Sequence, residues 1–212
     1  MKAKLHTLQP PTIREGGDAA APVIVGYGAV FFDAKVPGTE YRCELWDGWT
    51  LSERIERGAF DAALTSGADI VALWAHDHSM PLGRMSRDTL RISSDDTGLR
   101  YEVDAPDTSW GKDAVLSIRR GDVQASSFGF ALGDGYTDTV DNTTKTITRR
   151  ITSIATLYEV SPVVIPAYTA TGAGLRSADD NRALADLISR NNCMTQHTRT
   201  KAMVAIALAM LD

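Results

Sequence analysis

Apolar and polar positions alternate with a period of two along several stretches of the chain. Leu90 and Ile92 on one side, and Leu99, Tyr101 and Val103 on the other, flank Asp95-Asp96-Thr97-Gly98, which predicts a hairpin. A second hairpin is predicted from Arg42–Trp46 and Trp49–Glu53 around Asp47-Gly48, a pair suited to positive φ in a tight turn. A third, exposed one is predicted from Tyr136–Val140 and Lys145–Thr152 around Asp141-Asn142. The runs Pro22–Phe32, Ile70–Ala75, Val123–Leu132 and Ile154–Val164 are rich in apolar and β-branched residues and read as buried strands. Helical spacing is confined to a few places. Trp110, Ala114 and Ile118 follow the capping residues Asp107-Thr108-Ser109 and precede Gly121, which sits where a C-terminal glycine belongs. Gly58–Ser66 reads as a short helix, and Ala178–Arg190 and Arg199–Leu211 as two helices in a C-terminal tail.

About eight short strands, mostly in antiparallel hairpins with two inserted helices, favour a barrel or sandwich over a doubly wound sheet. The expected organisation is a flexible arm over 1–17, containing Pro10-Pro11 and Gly16-Gly17, a β-barrel domain over 18–175 and a helical tail over 176–212. A chain of 212 residues can bury one core of good size. Its net charge of -5 gives no basic surface of the kind nucleic acid requires, so no nucleic-acid partner is expected. Cys43 and Cys193 are too far apart for a zinc ribbon and too few for a disulfide framework. The N-terminal residues lack the apolar run of a secretory signal. Ala202–Leu211 is about half the ~20 residues a membrane span needs, so no membrane partner is expected.

Three segments hold residue types capable of chemistry. Two of the four histidines, His76 and His78, lie where an apolar strand ends, in Trp74-Ala75-His76-Asp77-His78. A histidine there suits a base at the rim of a core, and equally a cap on local backbone groups. In Gln124-Ala125-Ser126-Ser127-Phe128-Gly129-Phe130, alternation puts Ser126 with the two phenylalanines, facing the core. Ser127 falls with Ala125 and Gly129, on a face with room for a substrate. Ser127 is therefore the candidate nucleophile of the two, against the plainer reading of an exposed strand serine. Glu159 interrupts an apolar strand, and burying a lone carboxylate is costly, so it needs a partner. An imidazolium would serve, as would Arg149 or Arg150. Together the three supply the parts of a nucleophile, a base and an orienting acid.

These segments, with two others, resemble the prohead proteases of tailed phages. The resemblance is carried by Gly26-Tyr27-Gly28-Ala29-Val30-Phe31, Glu56-Arg57-Gly58-Ala59-Phe60, His76-Asp77 followed by Pro81-Leu82-Gly83-Arg84, Ser127-Phe128-Gly129-Phe130, and Glu159-Val160-Ser161-Pro162-Val163 with Pro166-Ala167. It implies a mainly β fold with helices, specifically an antiparallel β-barrel of the herpesvirus assembly-protease type with a helical C-terminal tail. It also implies a serine endopeptidase with His76 as general base, Ser127 as nucleophile and Glu159 as third member. The herpesvirus enzymes place a histidine in that third role, whereas this chain has none between Ser127 and His197.

The implied substrate is the major capsid protein or its scaffolding segment, processed inside the procapsid in the host cytoplasm. The enzyme itself is a further candidate substrate and a homo-oligomer a candidate assembly, with no cofactor and no metal. Oxyanion donors are expected from backbone amides near Phe128-Gly129 or from Arg84. Two other readings stand beside this one. One is a metal-dependent hydrolase using His76-Asp77-His78, although no third or fourth ligand is well placed. The other is a non-catalytic β-barrel module of a virion or scaffold.

Overall fold

The computed structural model describes residues 10–16, 21–164 and 182–191, and these form three four-stranded sheets. In the first, β1 (Thr12–Arg14), β2 (Val23–Val30), β8 (Gly98–Asp104) and β7 (Leu90–Ser94) lie side by side in that order, all antiparallel. The second runs β10 (Tyr136–Asp141), β11 (Thr146–Ile151), β4 (Thr50–Ile55), β3 (Tyr41–Glu44). The third runs β6 (Asp77–Arg84), β5 (Val71–Trp74), β12 (Thr156–Val163), β9 (Ala125–Ala131).

All three predicted hairpins form. In the turn between β3 and β4, Asp47 and Gly48 both take positive φ, at 54° and 74°. Helix α1 (Asp61–Thr65) is one short turn, and α2 (Ser109–Arg119) starts where Thr108 Oγ1 accepts a hydrogen bond from the Gly111 N–H (3.1 Å). It ends at Gly121, with φ 78°. A third helix, α3, spans 182–191 and overlaps the predicted Ala178–Arg190 segment, while Arg199–Leu211 lies outside the described residues.

Four features depart from the sequence expectation. The described strands do not close into a barrel. Two pairings, β4 with β11 and β5 with β12, are parallel, because β11 and β12 each lie beside a strand from the first half of the chain. Alternation fixes which face a residue takes but not which strands become neighbours. β6 was not foreseen, since Asp77, His78, Ser79 and Pro81 have little strand propensity; its pairing with β5 does the ordering. β1 lies inside the expected flexible arm, where Thr12–Arg14 pair with β2 and Arg14 makes a two-pronged ion pair with Glu102.

The main core gathers Ile24, Leu99, Tyr101 and Val103 of the first sheet, Val160, Phe128 and Leu157 of the third, and the α1 region through Phe60 and Ala63. Phe60 joins them by ring contacts to Phe31 (6.1 Å) and edge-on to Phe128 (5.6 Å), and Phe128 stacks on Phe130 at 4.7 Å. A second cluster unites Leu184 and Ile188 of α3 with Trp49, Leu51 and Ile147, so the β10–β11 hairpin is not exposed on both faces. Phe60→Ala should destabilise the fold by about 3–5 kcal/mol. Urea unfolding followed by fluorescence should show the lower midpoint.

Candidate active site

Strand β12 carries the acid, and a bulge aims it. Leu157 pairs with Phe130 and Glu159 with Gly129 on β9, which leaves Tyr158 as an extra residue on β12. Strict alternation would send Leu157 and Glu159 to the same face. With the bulge, Leu157 and Val160 enter the core, while Glu159 and Ser161 project from the opposite face. Gly129 makes room for the acid: a Cβ there would lie 2.6 Å from Glu159 Oε1 and 3.1 Å from its Cγ.

The base comes from the neighbouring hairpin. Trp74 pairs with Asp77, so Ala75 and His76 form a two-residue turn, with φ of 52° and 63°. Such left-handed conformations cost a non-glycine residue about 1–2 kcal/mol each. The turn is fastened to β12: the Ala75 N–H donates to the Pro162 carbonyl (3.2 Å) and the His76 N–H to Ser161 Oγ (3.2 Å). The imidazole lies against the acid, with His76 Nδ1 2.7 Å from Glu159 Oε1. A carboxylate only accepts, so Nδ1 carries the proton and Nε2 keeps its lone pair. The Glu159 side chain is 6% exposed and that of His76 37%, which makes this an acid in the floor and a base at the rim. The hydrogen bond from His76 to Glu159, helped by the attraction of the carboxylate, holds the imidazole above its ordinary value against the opposing effect of burial.

Ser127, on β9, lies across β12 from His76, directly opposite Ser161 in the β9–β12 register. Residues directly opposite in an antiparallel pair share a face, with Cβ atoms about 4.5–5.5 Å apart. Its hydroxyl is buried and has no hydrogen-bond partner among the described residues, a costly state for a polar atom and one that calls for a reason. Ser127 is also more enclosed than the sequence suggests, at 2% exposure. Ser126 faces the core as expected, bonded to Tyr101 (2.8 Å). The two arginines weighed as partners of Glu159 are engaged elsewhere. Arg149 pairs with Asp138 (2.8 Å) and Arg150 with Glu56 (2.8 Å).

Other candidates fall away from this arrangement. Arg84 is tied to Asp69 at 2.9 Å. Asp77 accepts from the Ser79 side chain (2.6 Å) and backbone (2.8 Å), which hold its carboxyl below the usual range. His78 is exposed. Among the described residues no three His, Cys, Asp or Glu side chains gather in a way that could hold a metal. His197 lies outside the described residues. Sequence reasoning missed Ser161, which donates to Glu159 Oε2 at 2.6 Å while accepting from the His76 backbone. Its position two residues from a buried acid, on the same strand, was the available signal.

No helix among the described residues is long and apolar enough to cross a membrane. No curated protein and no solved structure matches the chain. The sequence model of the caudovirus prohead serine protease does match, over residues 11–183, a span that takes in every strand from β1 to β12. With far more than half of its 212 residues covered, the chain belongs to the caudovirus prohead serine proteases, the capsid-maturation enzymes of tailed phages.

Proposed function

We propose that this chain is the endopeptidase that cuts capsid protein, or its scaffolding segment, inside the procapsid, with Ser127 as nucleophile, His76 as general base and Glu159 as the orienting acid. The observation that carries the reading is the 2.7 Å contact between His76 Nδ1 and Glu159 Oε1. It fixes the tautomer in which Nε2 is free to take a proton. Ser161 is committed to Glu159 and the His76 backbone, which leaves its cross-strand neighbour Ser127, whose buried hydroxyl makes no hydrogen bond to His76 or to any other described residue, as the serine to take this role. The family membership supplies the class of substrate. The finer likeness to the herpesvirus assembly proteases, including a barrel of their type, belongs to the same proposal and rests on the shared motifs.

In this mechanism the Ser127 hydroxyl oxygen bonds to the carbon of a peptide carbonyl, and its proton passes to His76 Nε2. Glu159 stabilises the imidazolium without taking its proton. The C–N bond breaks as Nε2 returns the proton to the leaving amine. Water then attacks the acyl-enzyme by the same route and restores Ser127. Backbone N–H groups near Phe128-Gly129 would steady the oxyanion, each contributing a few kcal/mol.

Three outcomes test the assignment. Ser127→Ala should lower cleavage of co-expressed capsid protein by roughly 10⁴-fold or more while leaving the fold intact. Mass measurement of both proteins, and of the enzyme's own chain, reads the result; near-normal processing by the variant would remove Ser127 from its role. Gly129→Ala should crowd the Glu159 carboxylate and cut kcat with far less effect on circular dichroism. A rate close to that of the parent would show that the acid need not sit there.

The pH profile carries the third. Because His76 titrates above its ordinary 6.5, the acid limb of kcat/KM should lie above 6.5, and Glu159→Gln should move it down towards that value. The same raised value means the ion pair contributes its stability fully below pH 6.5 and loses it as pH rises through the His76 midpoint. Activity should therefore grow over the range in which this contribution fades. A limb at or below 6.5 in the parent enzyme would contradict the geometry.

A further inference from the structure

Ser161 is fully buried, at 0% exposure, and its one hydroxyl is used twice. It accepts from the main-chain N–H of His76 (3.2 Å) and donates to Glu159 Oε2 (2.6 Å), the carboxylate oxygen that His76 does not touch. The base is thus held to β12 at two levels, by its side chain through Oε1 and by its backbone through Ser161. A two-residue turn of alanine and histidine, both left-handed, has no glycine to relax it and keeps its shape only through such outside contacts. The geometry points to Ser161 as a positioning residue, a clamp that fixes the acid and the main chain of the base at one distance and so keeps the imidazole seated against Glu159. This inference rests on the reading of His76 and Glu159 given above.

Ser161 is not a rival nucleophile. Its proton is directed at Glu159, and the imidazole nitrogen nearest the acid is already spoken for by that carboxylate. Its threefold neighbourhood of acid, base turn and Ser127 puts it at the centre of the constellation without a chemical step to perform.

The test uses a readout that does not require turnover. In the full-length chain carrying Ser127→Ala, the His76 midpoint is followed by NMR titration of the imidazole Cε1–H, with and without Ser161→Ala. Glu159 is the charged group that acts on His76, so loosening the clamp should bring the midpoint back towards 6.5. In the otherwise unaltered enzyme, Ser161→Ala should lower kcat about tenfold to a hundredfold, the weight of one hydrogen bond to a charged group, with KM within about twofold. Ser161→Thr, which keeps the hydroxyl, should retain both the raised midpoint and most of the rate. A His76 midpoint unmoved by Ser161→Ala would overturn the inference, as would a kcat within about twofold of the parent.

If Ser161→Ala fails to fold, the decision passes to Ser161→Thr against Ser161→Cys, whose thiol is a weak donor. Threonine must hold the midpoint and cysteine must lose it, and the reverse order refutes the clamp. Failure of the wider reading looks different: cleavage would survive Ser127→Ala, while the titration would still report on Ser161.

Discussion

The carboxylate of Glu159, buried in the central strand of its sheet, is the constraint around which this part of the molecule is arranged. Taking such a charge out of water costs several kcal/mol unless donors replace the lost solvent. Here the donors are the Nδ1–H of His76 and the hydroxyl of Ser161, one on each oxygen. Each device around it solves part of the same problem. The extra residue at Tyr158 turns the carboxylate away from the core, Gly129 leaves the volume it fills, and the Ala75-His76 turn bends a base down to meet it. A buried acid without these would unsettle the sheet; with them it becomes the fixed point from which the imidazole is aimed.

Strain and stability are separated in this fold. The left-handed turn at Ala75 and His76 is a local expense, and the contacts that hold it, to the Pro162 carbonyl and Ser161 Oγ, are few. The main core on the opposite face of the sheet, through Val160, Leu157 and Phe128, is what lets β12 bear that expense. α3 and the second cluster stabilise the β3–β4–β10–β11 sheet and touch neither Ser127 nor His76 among the packing residues.

Much of the local structure was legible because period-two alternation and capping residues are properties of neighbouring positions. The three hairpins and α2 follow from them, down to Thr108 and Gly121. The choice of Ser127 over Ser126 as the residue facing away from the core was likewise available from alternation alone, and the Tyr101 contact of Ser126 agrees with it. What stayed hidden depends on partners far along the chain. The parallel pairings of β5 with β12 and β4 with β11 join residues about ninety positions apart, and no periodicity encodes them. The partner of Glu159 was open between an imidazole and two arginines for the same reason: only the strand order decides it, by placing β11 in a different sheet from β12. The bulge at Tyr158 and the crowding at Gly129 are features of register, invisible until β9 and β12 are paired.

That strand order also explains why the site can be accurate. Glu159, Ser127 and His76 sit on or beside three adjacent strands, with Glu159 on the central one of the three. Backbone pairing on both sides of β12 then sets the spacing between them, and neighbouring strands vary little from their separation of about 4.7–4.9 Å. The base is the exception, because it stands on a turn and not within a strand. It is therefore the member whose place needs extra fastening, and the one that receives it from both the side chain of Glu159 and the hydroxyl of Ser161. A constellation built this way concentrates its freedom in one short turn, where a single buried hydroxyl can govern it.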